Sequence, residues 1–276
     1  MENDVIIFDK NGVKSVGFTP ANINASIKYI KENKIQDVFF EGKKHFENFD
    51  FLKTLNLNSI AINYSSIDTS KFPVLDSLKI LYLNDFDGTL SLLKFPNLYE
   101  CNLDWNNKIN FIEEYNIVKK IIIWKYNSKS KTLKELSIFN NIEYMQINNT
   151  NITSLEHIDL FSKLNHFELN YATKLSSLEY IDLLKHTLKE LFLDHVKQVN
   201  NFNIISTLKN LRLLVLSDCN KIENVNFVNK MPNLKDFRIV NTDIVDGNLF
   251  PLKKIETVRI YPFKKHYSLK QEDFDK

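Results

Sequence analysis

The chain has 276 residues, 43% of them hydrophobic and 25% charged, with 36 Lys and Arg against 34 Asp and Glu. A formal net charge of +2 supplies no global field that points to nucleic acid or to a membrane surface. Five Gly and six Pro exclude collagen-like and Pro/Gly-rich disordered classes.

Asn is abundant, with 35 copies, and is expected to take many turn positions that Gly fills elsewhere. No run of 18 apolar residues predicts a transmembrane helix. The acidic start, with an apolar stretch of only Val5 to Phe8, does not read as a secretory leader. The two cysteines, Cys101 and Cys219, then read as free thiols of a reducing compartment, so a cytoplasmic protein is expected.

In chain order, Val5-Ile6-Ile7-Phe8 and the apolar Val13, Val16 and Phe18 flank Asp9-Lys10-Asn11-Gly12, which predicts a β-hairpin over residues 4–18. Thr19-Pro20 reads as a helix N-cap with Pro at the first helical position. Ile23, Ile27, Tyr29 and Ile30 follow at helical spacing and the helix is expected to end near Lys34. Residues 1–34 are therefore expected to form an N-terminal cap on the rest of the chain.

From residue 35 one pattern recurs: apolar, two variable residues, apolar, one variable residue, apolar. Ile35-Val38-Phe40 is the first copy and Ile255-Val258-Ile260 the last. The middle apolar residues are Val38, Ile60, Leu81, Cys101, Ile121, Met145, Phe167, Leu191, Leu214, Phe237 and Val258: eleven copies, 20 to 24 residues apart. The closing apolar–variable–apolar triplet has period 2 and predicts a short strand with two side chains facing inward. One such strand cannot bury its own face, so neighbours must stack. The connections carry further apolar residues, as in Leu155, Ile158 and Phe161, or Leu178, Ile181 and Leu184, and read as short helical turns. The expected fold is an α/β right-handed solenoid, a horseshoe with about eleven parallel strands on its concave face, over residues 35–262. Residues 263–276 are expected to be a fraying polar tail.

Asn149-Thr150-Asn151-Ile152 after the sixth strand is echoed by Asn241-Thr242-Asp243-Ile244 after the tenth. With the 22-residue mean period, these pieces make the chain resemble the bacterial leucine-rich repeat proteins in their short, internalin-like form. The resemblance implies that Thr or Asn after the strand caps backbone groups inside the turn and that the Ile plugs the core. The cap position is filled elsewhere by Lys43, Phe86, Tyr126, Ala172, Val196 and Cys219.

The repeat register also predicts a surface. With the first apolar residue as position 1, positions 3, 5, 7 and 8 point out of the concave sheet or along its edge. These columns hold ten acidic and four basic residues, so the face is acidic and the positive excess lies elsewhere. The candidate protein-binding residues are Tyr64, Tyr82, Asp85, Glu100, Asp104, Trp105, Trp124, Tyr144, Glu168, Tyr171, Glu190, Phe192 and Asp194. Trp and Tyr are the preferred anchors of protein interfaces, and an acidic field steers a basic partner and disfavours nucleic acid.

No Gly-rich phosphate loop, Cys-x-x-Cys or His-Glu-x-x-His is present, and no enzymatic activity, cofactor or metal is expected. Cys101 occupies a core position and reads as a small hydrophobe. His166, Glu168, Glu190, Asp194, His195 and Asp218 fall on three neighbouring strands, and hydrogen-bonded neighbours are the expected reading of that group. The expected function is a non-catalytic protein-interaction module with a basic protein partner. Two alternatives are an intracellular immunity or inhibitor protein for a cationic toxin such as a nuclease, and a secreted internalin-like adhesin or effector. The oligomeric state is not readable from one sequence.

Overall fold

All eleven repeat triplets are strands. The structure is a computed structural model that describes residues 4–112 and 116–274. The first three residues of the expected cap and the last two of the expected tail lie outside the described residues. The chain divides into two compact units, Met1–Ile123 and Trp124–Lys276.

The first unit opens with β1 (Ile6–Lys10) and β2 (Val13–Phe18), an antiparallel hairpin in which Lys10 pairs with Val13 across Asn11-Gly12. Both turn residues have positive φ, +56° and +84°, which an Asn-Gly turn tolerates. Helix α1 (Ile23–Asn33) follows. It starts later than Thr19-Pro20 suggested, because Asn22 takes the N-cap position instead. Asn22 Oδ1 accepts from the Thr19 N–H (2.7 Å), and Thr19 Oγ1 from the Asn22 N–H (3.2 Å). This reciprocal pair holds Thr19 one turn ahead of the helix. Lys34 ends the helix in a left-handed conformation.

The repeat strands of this unit are β3 (Asp37–Glu41), β4 (Ser59–Asn63), β5 (Ile80–Asn84), β7 (Glu100–Asp104) and β9 (Lys120–Trp124), the last ending at the boundary. β2 to β5 and β7 pair in parallel at the register the repeat requires: Val38 with Ile60, Ile60 with Leu81, Leu81 with Cys101. Two two-residue strands, β6 (Thr89–Leu90) and β8 (Asn110–Phe111), pair apart from this sheet. The core is unusually aromatic. Phe49 and Phe72 have ring centroids 4.4 Å apart, and Phe40 meets Phe46, Phe49 and Phe72 within 5.9 Å.

The second unit carries β10 (Tyr144–Asn148), β11 (His166–Asn170), β12 (Glu190–Asp194), β13 (Leu213–Ser217), β14 (Asp236–Val240) and β15 (Thr257–Tyr261), all parallel and in register. The inward pairs Met145/Ile147, Phe167/Leu169, Leu191/Leu193, Leu214/Leu216 and Phe237/Ile239 are fully buried. The connections are 3₁₀ turns such as Ile158–Leu160 and Ile181–Leu184, which bury Leu155, Ile158, Phe161, Leu178, Ile181 and Leu184.

The cap position also faces inward in most repeats, although Lys43, which holds it in the first, is exposed. Thr150 Oγ1 donates to the Tyr126 carbonyl (2.9 Å), and Thr242 Oγ1 donates to the Val240 carbonyl while accepting from the Cys219 N–H. Ile152 and Ile244 after them are fully buried, as are Phe86, Tyr126, Ala172 and Val196 at the equivalent place. Among the described residues, the expected fraying tail is instead packed. Tyr267, Leu269 and Phe274 are buried, the Tyr267 hydroxyl accepts from the Ile244 N–H, and Ser268 bonds both Gly247 and Leu249. Three apolar residues spaced outside the repeat period cover the last turn of core. Among the described residues, no helix is long and apolar enough to cross a membrane.

Candidate functional site

Strand pleating sends positions 3, 5 and 7 outward, and the parallel register lines them into columns. In the second unit Tyr144, His166 and Glu190 form the position 3 column. Gln146, Glu168 and Phe192 form the position 5 column, and Asn148, Asn170 and Asp194 the position 7 column. Eight of these nine side chains, all but Asp194, are joined in one lattice, in which the Tyr144 hydroxyl also reaches Gln146 Oε1 (3.2 Å). The rings of Tyr144 and His166 stack at 4.2 Å, and those of His166 and Phe192 at 5.0 Å. His166 Nδ1 lies 2.8 Å from Glu190 Oε2, and its Nε2 2.7 Å from Glu168 Oε1. The Tyr144 hydroxyl donates to the same Glu168 oxygen (2.7 Å). Asn148 Oδ1 accepts from both Gln146 and Asn170. The Glu190 side chain is 44% exposed although one of its oxygens is bonded to His166, so the lattice keeps a partly open carboxylate next to the stacked rings.

His166 is the hub, although the sequence reading placed it only in the titratable group and not among the binding residues. Its signal was its register between Tyr144 and Glu190, which neither residue type nor spacing reveals alone.

Of the other candidates in this unit, Trp124 is exposed and Tyr171 stacks on His195 at 4.1 Å. Asp194 Oδ2 lies 2.8 Å from His195 Nδ1. Cys219, beside Asp194, hydrogen-bonds the Leu193 and Ser217 carbonyls, and burial pushes its thiol up to about 12. Beyond Asp218, which follows β13, the outward acidity is balanced by arginine. Asp236 is paired with Arg238 in a two-bond fork (2.9 and 2.6 Å), and Arg238 lies opposite Arg259.

In the first unit, Glu100 is bridged to Lys120 (3.0 Å) and accepts from Asn102. Tyr82 is half-buried, and burial, with the charges of Glu100 and Asp37, raises its hydroxyl above the ordinary tyrosine value. The Asp85 N–H donates to Asp104 Oδ2 (3.3 Å), and Tyr64 is exposed. Trp105 lies beyond the end of β7, half-buried and stacked on Phe111 at 5.9 Å. Much of the acidity counted from the sequence is thus held by partners: Glu100 by Lys120, Glu168 and Glu190 by His166, Asp236 by Arg238.

Parallel strands one repeat apart, inward apolar pairs, and a Thr or apolar plug after most of the strands are in place. This is the leucine-rich-repeat fold. No protein-family model matches the chain, and no curated protein matches it in sequence. Among solved structures it is similar to an internalin, InlF, from Listeria monocytogenes (13% identity, 89% of this chain and 76% of that one, TM-score 0.48). It is also similar to the functional domain of InlJ from the same organism (12%, 89% and 68%, TM-score 0.41). A third likeness is to a leucine-rich repeat protein of Leptospira interrogans (14%, 82% and 78%, TM-score 0.37).

Proposed function

We propose that this leucine-rich-repeat chain is a protein-binding module and that the outward lattice of β10 to β12 is its recognition surface. The observation that carries the reading is the Tyr144–His166–Phe192 stack with the partly open carboxylate of Glu190 at its edge. Rings fixed by cross-strand neighbours lose little freedom when a partner lands on them, and such rigid aromatics are typical interface anchors. A carboxylate beside a ring face suits a Lys or Arg side chain, through ion pairing and cation–π contact together. The partner is therefore a protein presenting basic side chains.

The test is affinity capture with the wild type, with Phe192→Ala and with Glu190→Gln, at low and at high salt. The expected result is one basic protein held by the wild type, weakened by salt and bound at least tenfold more weakly by both variants. Equal capture by all three proteins overturns the reading.

A further inference from the structure

Next to the aromatic lattice, the ends of β12 and β13 bring together a different set of groups. One ligand-type atom from each of Asp194, His195 and Asp218 lies within 4.8 Å of the others, and all three residues are half-buried. We propose that these three side chains bind a divalent transition-metal ion of the Zn²⁺ or Mn²⁺ kind, independently of any protein partner.

Two features of the structure support this. The first is charge. Among the described residues, neither Asp194 nor Asp218 forms an ion pair with Lys or Arg. Asp194 meets only the imidazole of His195, while Asp218 accepts weaker bonds from Ser217 and Asn241. Elsewhere on the outward columns, Glu100 has Lys120 and Asp236 has Arg238. Two carboxylates held this close repel each other, and a divalent cation removes that repulsion.

The second is the donor set and how it is held. One imidazole nitrogen with two carboxylate oxygens suits first-row divalent ions better than Ca²⁺ or Mg²⁺, which favour all-oxygen sites. Tyr171 stacks on His195 and fixes the ring plane, and Asn241 and Ser217 orient Asp218. Such supporting contacts set ligand direction in metal sites. The His166 group lacks this convergence: its two carboxylates sit at opposite ring nitrogens, so ring and acids cannot share one ion.

The experiment is calorimetric titration of ZnCl₂, MnCl₂ and CaCl₂ into the metal-stripped chain. The wild type is compared with Asp218→Asn, His195→Ala and His45→Gln, each checked for native circular dichroism. The expected result is one Zn²⁺ per chain, at least tenfold weaker in Asp218→Asn and His195→Ala, unchanged in His45→Gln, and no heat with Ca²⁺. Absence of a Zn²⁺ isotherm in the wild type, or Zn²⁺ affinity unaltered in both site variants, overturns the proposal.

Discussion

At the residue scale, the recurrent event is a left-handed backbone just past nine of the eleven repeat strands. Tyr64, Asp85, Lys125, Asn149, Tyr171, His195, Asp218 and Asn241 all have φ between +45° and +57° there, and Gly42 has φ +76°. The conformation keeps the ladder going one residue longer. The Tyr171 N–H donates to the Asp194 carbonyl, the His195 N–H to Ser217 and the Asn241 N–H to Tyr261. Non-Gly residues accept this torsion at a cost of about 1 kcal/mol, Asn least of all. Replacing exposed Tyr64 by Asn is thus expected to raise stability by about 0.5 kcal/mol, read as a higher melting temperature. Gly42→Ala is expected to lower stability by about 1 kcal/mol through torsion alone, because a Cβ there meets no atom within 4 Å. Gly88→Ala is expected to cost more than about 2 kcal/mol for the opposite reason: its φ is ordinary, but a Cβ would collide with the Ile67 carbonyl and the Phe86 ring. The high Asn content pointed to turn positions, yet only Asn149 and Asn241 of this column are Asn. The ladder bond imposes the torsion on Tyr, His and Lys as well, so residue type did not reveal the column.

At the element scale, the polar insert Asn127 to Lys131 lengthens one connection without displacing the register. Asn151 brackets Ser128, accepting from its N–H and donating to its carbonyl (both 3.0 Å). Glu135 closes the loop by accepting from the Ser130 N–H, the Ser130 hydroxyl and the Tyr126 hydroxyl. Burial alone would raise the Glu135 carboxyl, but the bonds from Ser130 and Tyr126 outweigh it and leave the value lowered. A lowered carboxylate stabilises the fold above its unfolded value of about 4.3, and this contribution disappears as pH falls through the folded value. Glu135→Gln is therefore expected to be less stable than the wild type at pH 7, the gap closing on acidification below about pH 4; a constant gap in melting temperature would contradict the assignment. The C-terminal segment invites a second test. Truncation after Pro262 uncovers the core that Tyr267, Leu269 and Phe274 shield, and is expected to strip amide protection from β15 and promote association. The strands were legible in the sequence because their inward residues repeat with a fixed period. The C-terminal cap was not, because its three apolar residues follow no period and are separated by polar neighbours.

For the whole molecule, each repeat rests on its neighbours, so damage should spread by adjacency. Leu191 is fully buried in β12, and Leu191→Ala is expected to cost about 3 kcal/mol. Hydrogen exchange should accelerate first in β11 to β13, while β3 to β5 keep their protection; uniform loss would argue against nearest-neighbour behaviour. The candidate site was legible only in part. Tyr144, Glu168, Glu190 and Phe192 were found from their columns, whereas His166 emerges as their hub only when rings and carboxylates are placed in three dimensions. The left-handed column carries a further consequence. The strand end is satisfied by torsion and backbone bonding, whatever side chain it bears, so Tyr, Asp, Lys, Asn and His interchange there over an unaltered apolar ladder. Folding and display are thereby written in separate alphabets. A library varied among Tyr, Asp, Lys, Asn and His at 64, 85, 125, 149, 171, 195, 218 and 241 should keep its fold while its ligand preference drifts.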